Sequence, residues 1–394
     1  MFLIYQLRNM FEIPSAWRIG GDIMTWTRRE FLAASGVMST YPLLGGCGDS
    51  GMTRYEEAVA ALREELPAEP ALRDFVRYAT LAPNSHNTQP WEFRLGADRV
   101  EILPDLARNC PVVDPDDHHV FVSLGCAAEN LLVAANARNR AGEAVVNLDG
   151  TSATARITLG NGAGIDRELC DAIPRRQSTR SEYDGQPVSR EELAALESAA
   201  TMPGVNTFFI TDRGKMDGVL DYVIEGNSAQ IDDPAFVEEL KNWIRFNPEA
   251  AVETNDGLFA ACSGNPTLPT WLGRFMFDRF FTRDAENDKY AKQVRSSAGI
   301  VIFVAEKEDQ EGWINVGRSF QRFALQATAL EIRHAHLNMP IEVAHIRPEF
   351  ARWMGIPGRR PDLIIRFGKA PPLPMSLRRP VKEVIAPIED VITA

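Results

Sequence analysis

At 394 residues the chain exceeds the size at which a single hydrophobic core keeps growing, so two lobes are expected. Its 45% hydrophobic and 24% charged residues fit a globular protein with a large core and exclude a disordered or fibrous one. A formal charge of −12 argues against nucleic acid as a partner, because such binding needs a surplus of Lys and Arg, and any anion site here has to be local.

Taken in chain order, residues 1–23 read as translated upstream sequence, since Met24 stands close before a paired Arg28 and Arg29. The stretch "TRREFLAASGVMSTYPLLGGCG" continues through Phe31 and Leu32 into a mildly apolar run ending at Leu44. Over 24–47 it resembles a twin-arginine export signal, and "LGGC" resembles a lipoprotein box in which Cys47 is acylated. The alternative is an ordinary buried helix with a chance Arg-Arg pair. The run is short for a membrane span and contains Pro42, so the expectation is an exported, periplasmic or extracytoplasmic protein whose contact with a membrane is a lipid anchor.

Beyond the leader the chain reads as α+β, in two tandem halves, 52–162 and 166–394. In the first, "EPALRDFVRYATLA" has helical spacing and runs into the polar loop "PNSHNTQP". "PWEFRLG" and "RVEILPD" then alternate as a hairpin, a helix covers roughly Val120 to Asn139, and two strands close the half. "GNGAG", Gly160 to Gly164, has GxGxG rather than dinucleotide GxGxxG spacing and reads as the linker between halves. The second half repeats the order of helix, loop and strand, with Ser189 as a helix cap. An aromatic insertion at about 221–295 is either a lid over a pocket or extra core.

The five cysteines, at 47, 110, 126, 170 and 262, form no CxxC pair, which speaks against structural zinc. His118 and His119 follow Asp114, Asp116 and Asp117, yet adjacent side chains diverge, so no metal is expected there. Arg175, Arg176 and Arg180 share a loop with Ser178 and Thr179, and Arg378 and Arg379 form a second basic pair. Guanidinium forks beside a hydroxyl suit a phosphate monoester, although either cluster alone would favour a solvated turn.

Four of these segments together resemble a family. "APNSHNTQPWEF" is similar to the "PSxxNxQPW" signature of the FMN-dependent nitroreductase superfamily, and "RRQSTRSEY" to its "RxSxR" phosphate loop. "MPIE" resembles its "PIE" turn and "RRPVKEVI" its C-terminal arginine segment, all in order over about residues 70 to 386. The His86-Asn87 pair, the step from Arg180 to Tyr183 and the tail most resemble the Acg-type branch, single chains holding two nitroreductase-like halves. The sequence departs from the pattern at Asn84, where serine is usual, and at Glu331, where a helix-ending glycine is usual.

The resemblance implies an FMN site built from Pro83, Asn84, Ser85 and Asn87 of the first half with Arg176, Ser178, Arg180, Pro340, Ile341, Glu342, Arg378 and Arg379 of the second. The first half lacks "RxSxR" and the second shows "MPGVNTFFI" in place of the polar loop. One complete site per chain follows, in a monomer that imitates a dimer. The function implied is two-electron reduction of an electron-poor small molecule by flavin hydride transfer. For an exported chain the donor expected is a quinol or a redox protein rather than a nicotinamide nucleotide. Competing readings are a flavin-sequestering protein with a lid-covered FMN and a structural lipoprotein with a vestigial site; no residue stands out as the catalytic acid.

Overall fold

The structure is a computed structural model that describes residues 48–148, 152–162 and 165–386. Cys47 and the leader, and with them the readings of export and acylation, lie outside the described residues, as do Ala163 and Gly164 of the "GNGAG" linker.

The first half begins with helices α1 (Gly48–Leu62) and α2 (Leu72–Thr80). Phe75, Val76 and Ala79 set the buried face of α2, and the Asp74 carboxylate accepts the N–H of Ala71 at 2.8 Å to cap its start. Strands β1 (Trp91–Leu95) and β2 (Arg99–Pro104) form the expected hairpin, followed by α3 (His118–Ala137), β3 (Gly142–Asn147) and β4 (Thr154–Leu159). These strands make an antiparallel sheet in the order β1-β2-β4-β3. In β1 Trp91 and Phe93 are buried while Glu92 and Arg94 are exposed, the alternation of a sheet with one covered face.

The second half comprises α4 (Arg167–Ala172), α5 (Arg190–Ala200), β5 (Val205–Ile210), α6 (Arg213–Asp232), α7 (Pro234–Trp243) and β6 (Ile244–Arg245). It continues with α8 (Pro248–Thr254), β7 (Leu258–Phe259), α9 (Thr270–Phe280), α10 (Arg283–Arg295) and β8 (Gly299–Ala305). After α11 (Gln310–Ala329) come β9 (Arg333–His336), α12 (Met339–Glu342), α13 (Arg347–Trp353), β10 (Leu363–Gly368) and α14 (Val381–Val384). Its sheet, β5-β8-β10-β9, is also antiparallel. Both of its faces are covered, so β8 is buried throughout: Val301 and Phe303 enter the core shared with α11, and Ile300, Ile302 and Val304 a second core with Met216, Val219 and Leu220 of α6.

The halves meet where α3 crosses α11. A Cβ on Gly125 would lie 1.9 Å from the Ile314 carbonyl oxygen, and one on Gly317 2.0 Å from that of Val122. Each helix thus has a glycine where the other's backbone presses closest. Buried Glu129 of α3 pairs with Arg318 and Arg322 of α11 at 3.0 and 2.9 Å. The C-terminal segment closes the arrangement by crossing to the first half, where the N–H of Ala386 reaches the Phe93 carbonyl at 2.9 Å on the edge of β1.

The insertion's elements fall in two places. Helices α6 and α10 supply the second core, whereas α7 and β7 lie over the polar loop of the first half. Glu331, despite its departure from glycine, ends its helix as a glycine does, at φ +59°, with the Ile332 N–H returning to the Ala327 carbonyl at 2.7 Å.

Candidate functional site

The loop after α2 is built against its own backbone preference. His86, Asn87 and Gln89 have φ of 47°, 57° and 57°, a region that L residues adopt at a cost. The loop's side chains hold it there. Asn84 Oδ1 accepts the N–H of Gln89 at 2.8 Å, and Asn84 Nδ2 donates to the Ala82 carbonyl at 3.2 Å. Asn87 Nδ2 donates to Gly257 and Leu377 carbonyls at 3.0 and 3.2 Å, tying the loop to the insertion and to the tail. Gln89 Nε2 donates to the Asn255 carbonyl at 2.9 Å, and its Oε1 accepts the N–H of Arg379 at 2.7 Å.

The segment from Arg176 to Tyr183 is pinned to the edge of the second sheet. Ser178 bridges His334 of β9, and the Thr179 N–H donates to the His334 carbonyl at 2.9 Å. Buried Arg366 of β10 donates to the Thr179 and Ser181 carbonyls at 3.3 and 2.9 Å and lies over the Tyr183 ring at 4.1 Å. This anchoring leaves the Arg180 side chain beside a cavity of about 210 Å³ whose other wall carries Pro83, Asn84, Ser85 and His86. From α12 come Met339 and Glu342, from α3 His119, Val122 and Cys126, and from the insertion Phe236, Leu240 and Leu258.

Of the residues expected at the site, Pro83, Asn84, Ser85, Arg180 and Glu342 therefore converge. Asn84 does so with its carboxamide making one bond through Nδ2 and one through Oδ1 within the loop, which leaves it one N–H. Asn87, expected beside it, is turned to the insertion and tail instead. Pro340 and Ile341 form the turn behind Met339 and Glu342 without lining the cavity, and Ser178 serves the strand bridge. Arg176 is buried, donating to the Leu81 carbonyl at 3.0 Å while its Nε and Nη1 have no partner. Its charge is felt by Cys126 and His336, both in the cavity wall.

The tail arginines are a clear correction. Arg378 is buried and donates to the carbonyls of Thr80, Leu81 and Ala82 at 2.7, 3.4 and 3.1 Å, closing the buried C-terminal end of α2. Arg379 faces Asp105 at 3.7 Å and the Glu383 carbonyl at 3.0 Å. Both arginines position the loop from outside rather than facing the cavity.

Electrostatically, Arg180 dominates the site. Among the described residues its guanidinium has no ion pair and no hydrogen bond. Burial first, and then Arg180, push the His336 imidazole down to about 3, and burial, Arg180 and His119 push His86 down to about 4, so both are neutral at pH 7. Burial raises the Glu342 carboxyl, and Gln230 Nε2 donates to it at 2.7 Å.

His119 differs from its neighbours: burial pulls its pKa down, but Asp114 and then Glu342 outweigh that and raise it. Asp114 lies 3.4 Å from His119 Nδ1, close enough for attraction though not aligned as a hydrogen bond, and accepts the N–H groups of His119 and Val120 at the start of α3. Asp114, His118 and His119 together have the donor types of a metal site. Their hydrogen bonding favours a proton instead. Asn338 Oδ1 accepts the Ile364 N–H at 3.0 Å, which leaves Asn338 Nδ2 to donate to His119 Nε2 at 3.3 Å. In the neutral ring that puts the His119 proton on Nδ1, toward Asp114, where a cation would have to displace it.

Sequence reasoning missed His119 and His336 as cavity residues and the insertion's Phe236, Leu240 and Leu258. The adjacent histidines after an acidic run were a visible signal for His119, read only in terms of metal. Nothing in the local sequence marked the others.

No family model matches the chain. Two sequences of Mycobacterium tuberculosis, from strains CDC 1551 and H37Rv and provisionally named NAD(P)H nitroreductases, are each 24% identical over 344 residues, covering 84% of this chain and 96% of theirs. Among solved structures, a Bacteroides fragilis nitroreductase with bound FMN aligns at 15% identity with a TM-score of 0.32, covering 52% of this chain and 89% of its own. The FMN-dependent nitroreductase NfnB of Mycobacterium smegmatis, in complex with NADPH, aligns at 13% identity with a TM-score of 0.35, covering 52% and 88%.

Proposed function

We propose that this chain, similar along most of its length to sequences named NAD(P)H nitroreductases, is an FMN-dependent oxidoreductase that reduces an electron-poor organic compound by two electrons. The observation that carries the reading is Arg180: a guanidinium without a counter-charge, facing a cavity whose opposite wall comes from the other half of the chain. An uncompensated cation beside a cavity favours an anionic ligand, and a phosphate monoester satisfies it with charge-assisted hydrogen bonds. The rest of the lining fits the cofactor as well. Val122, Phe320 and Leu363 offer apolar contacts to a planar ring, while Ser85 offers a hydroxyl. Arg176 adds two unpaired donors behind the wall.

When bound, FMN supplies the two-electron chemistry, taking up and passing on a hydride equivalent. The chain's own residues bind and orient it. Arg180 fixes the phosphate, and the strained loop, fastened by Asn84, Asn87 and Gln89, presents Pro83 and Ser85 at a set position. His119 and Glu342, both with raised pKa values, are titratable groups of the cavity wall, whereas His86 and His336 contribute neutral rings. With the leader read as an export signal, the donor is a quinol or a redox protein, and a lipid on Cys47 keeps the chain near a membrane.

A second reading, sequestration of FMN with little turnover, is favoured by one feature, the covering of the cavity by Phe236, Leu240 and Leu258 of the insertion. The visible spectrum of the purified protein, with released FMN counted per chain, tests the cofactor and the single site. One FMN per chain is expected, and Arg176→Ala with Arg180→Ala should release it. Full occupancy in the double variant overturns the phosphate assignment. Anaerobic addition of a quinone or a nitroaromatic to chemically reduced protein then separates the readings: rapid reoxidation supports the enzyme, and reoxidation no faster than flavin release supports sequestration.

A further inference from the structure

A second pocket, of about 180 Å³, lies within the insertion beside the cavity described above. Ile244, Phe246, Met276, Phe277, Phe280 and Phe281 line it. Leu240 of α7 and Leu258 of β7 line both spaces and so form a common wall. That wall is held in place from the polar loop, since the Gly257 N–H donates to the Asn87 carbonyl at 3.2 Å and Asn87 Nδ2 returns the bond at 3.0 Å. The charged residues in the pocket's lining, Glu286 and Lys289, pair with each other at 3.1 Å, so the lining carries no net charge.

These aromatic side chains are not packed as a core packs them. In α9 only Gly273 is buried; Met276, Phe277 and Phe280 stay half-buried around the pocket, and Trp271 and Phe275 are 73% and 62% exposed. An apolar pocket lined by one side of a helix, with aromatic rings left in water on the same helix, suits a ligand that is itself poorly soluble in water. The uncharged lining disfavours an ionised one.

We propose that this pocket takes the apolar chain of a lipophilic quinone whose ring reaches the polar cavity across the Leu240 and Leu258 wall. For the ring this rests on the oxidoreductase reading above; for the chain it rests on the pocket alone. Alkyl burial is non-directional and grows with each methylene removed from water, so a pocket of this kind selects for chain length rather than for a particular head group.

The test uses the full chain as purified, with 2,3-dimethoxy-5-methyl-1,4-benzoquinone and its 6-decyl derivative as probes. Binding is measured by calorimetry and reduction by the reoxidation of chemically reduced protein. The decyl compound is expected to bind at least about tenfold more tightly, since each buried methylene contributes roughly a fourfold factor. Met276→Trp, which fills the pocket, should abolish that preference and leave binding of the chainless quinone unchanged; Met276→Asp serves should the first variant fail to fold. Equal affinity for the two quinones, or a preference that survives both substitutions, overturns the proposal. A chain preference in binding with no reduction of either quinone leaves the pocket assignment standing and overturns the oxidoreductase reading instead.

Discussion

The loop between α2 and β1 and the turn between α5 and β5 hold the same place in their respective halves, and they have diverged to opposite extremes. The first carries three non-glycine residues at positive φ and is fastened by carboxamides to the insertion and the tail. The second is a tight turn in which Gly204 supplies φ +81° and Met202 bridges Val205. Left-handed backbone costs L residues about 1 kcal/mol each, so the first loop holds a strain that its hydrogen bonds offset, and the second holds none. Backbone strain has been kept in the loop that lines the cavity and is missing from the turn at the equivalent place in the other half.

The comparison is most severely tested at Arg378. Arg378→Ala should destabilise the flavin-free chain by about 2 kcal/mol, because it leaves the buried carbonyl of Thr80 without a donor and takes one of two donors from those of Leu81 and Ala82. Chemical denaturation checks this. A residue that merely held the phosphate would leave the flavin-free stability unchanged.

Next in size is Asn84→Ala, which removes the bond to the Gln89 N–H and should cost about 1 to 2 kcal/mol together with weaker flavin retention. Gly204→Ala in the opposite turn should cost about 1 kcal/mol with retention unaffected. Equal effects of the two on flavin release would show that the turn still communicates with the site. Glu331→Gly should raise stability by about 0.5 to 1 kcal/mol in a thermal melt, because the position already has a glycine's conformation.

The smallest effect concerns pH. Burial lowers the His119 pKa, with Arg360 adding to it, yet Asp114 first and Glu342 next outweigh them and raise the folded-state value above the ordinary one. The stability it contributes is therefore fully present below about pH 6.5 and is lost as pH rises through the folded value. The advantage of the wild type over Asp114→Asn should shrink as pH rises above about 6.5. An advantage that stayed constant across that window would mean that Asp114 acts only through its bonds to the start of α3.

Much of this architecture was legible along the chain. The alternation of Trp91 and Phe93 with Glu92 and Arg94 is the pattern of a strand with one covered face, and the unbroken apolar run of β8 is that of a strand covered on both. The polar loop, the arginine loop and the turn at Met339–Glu342 stood in the order in which the cavity uses them. What periodicity could not distinguish was a basic residue facing a cavity from one closing a helix. Arg176, Arg180 and Arg378 look alike in sequence, yet only Arg180 lines the cavity.

The sequence by itself determined the two halves, the strands and helices of each, and the chemistry held in reserve in its loops, because patterns of burial and turn residues act over a few positions. Tertiary structure decided which polar atoms remain available to a ligand. A carboxamide or guanidinium bonds whichever carbonyl comes near, and the partners of Asn87 and Arg378 lie 170 to 298 residues away, brought within reach only when one half folds against the other.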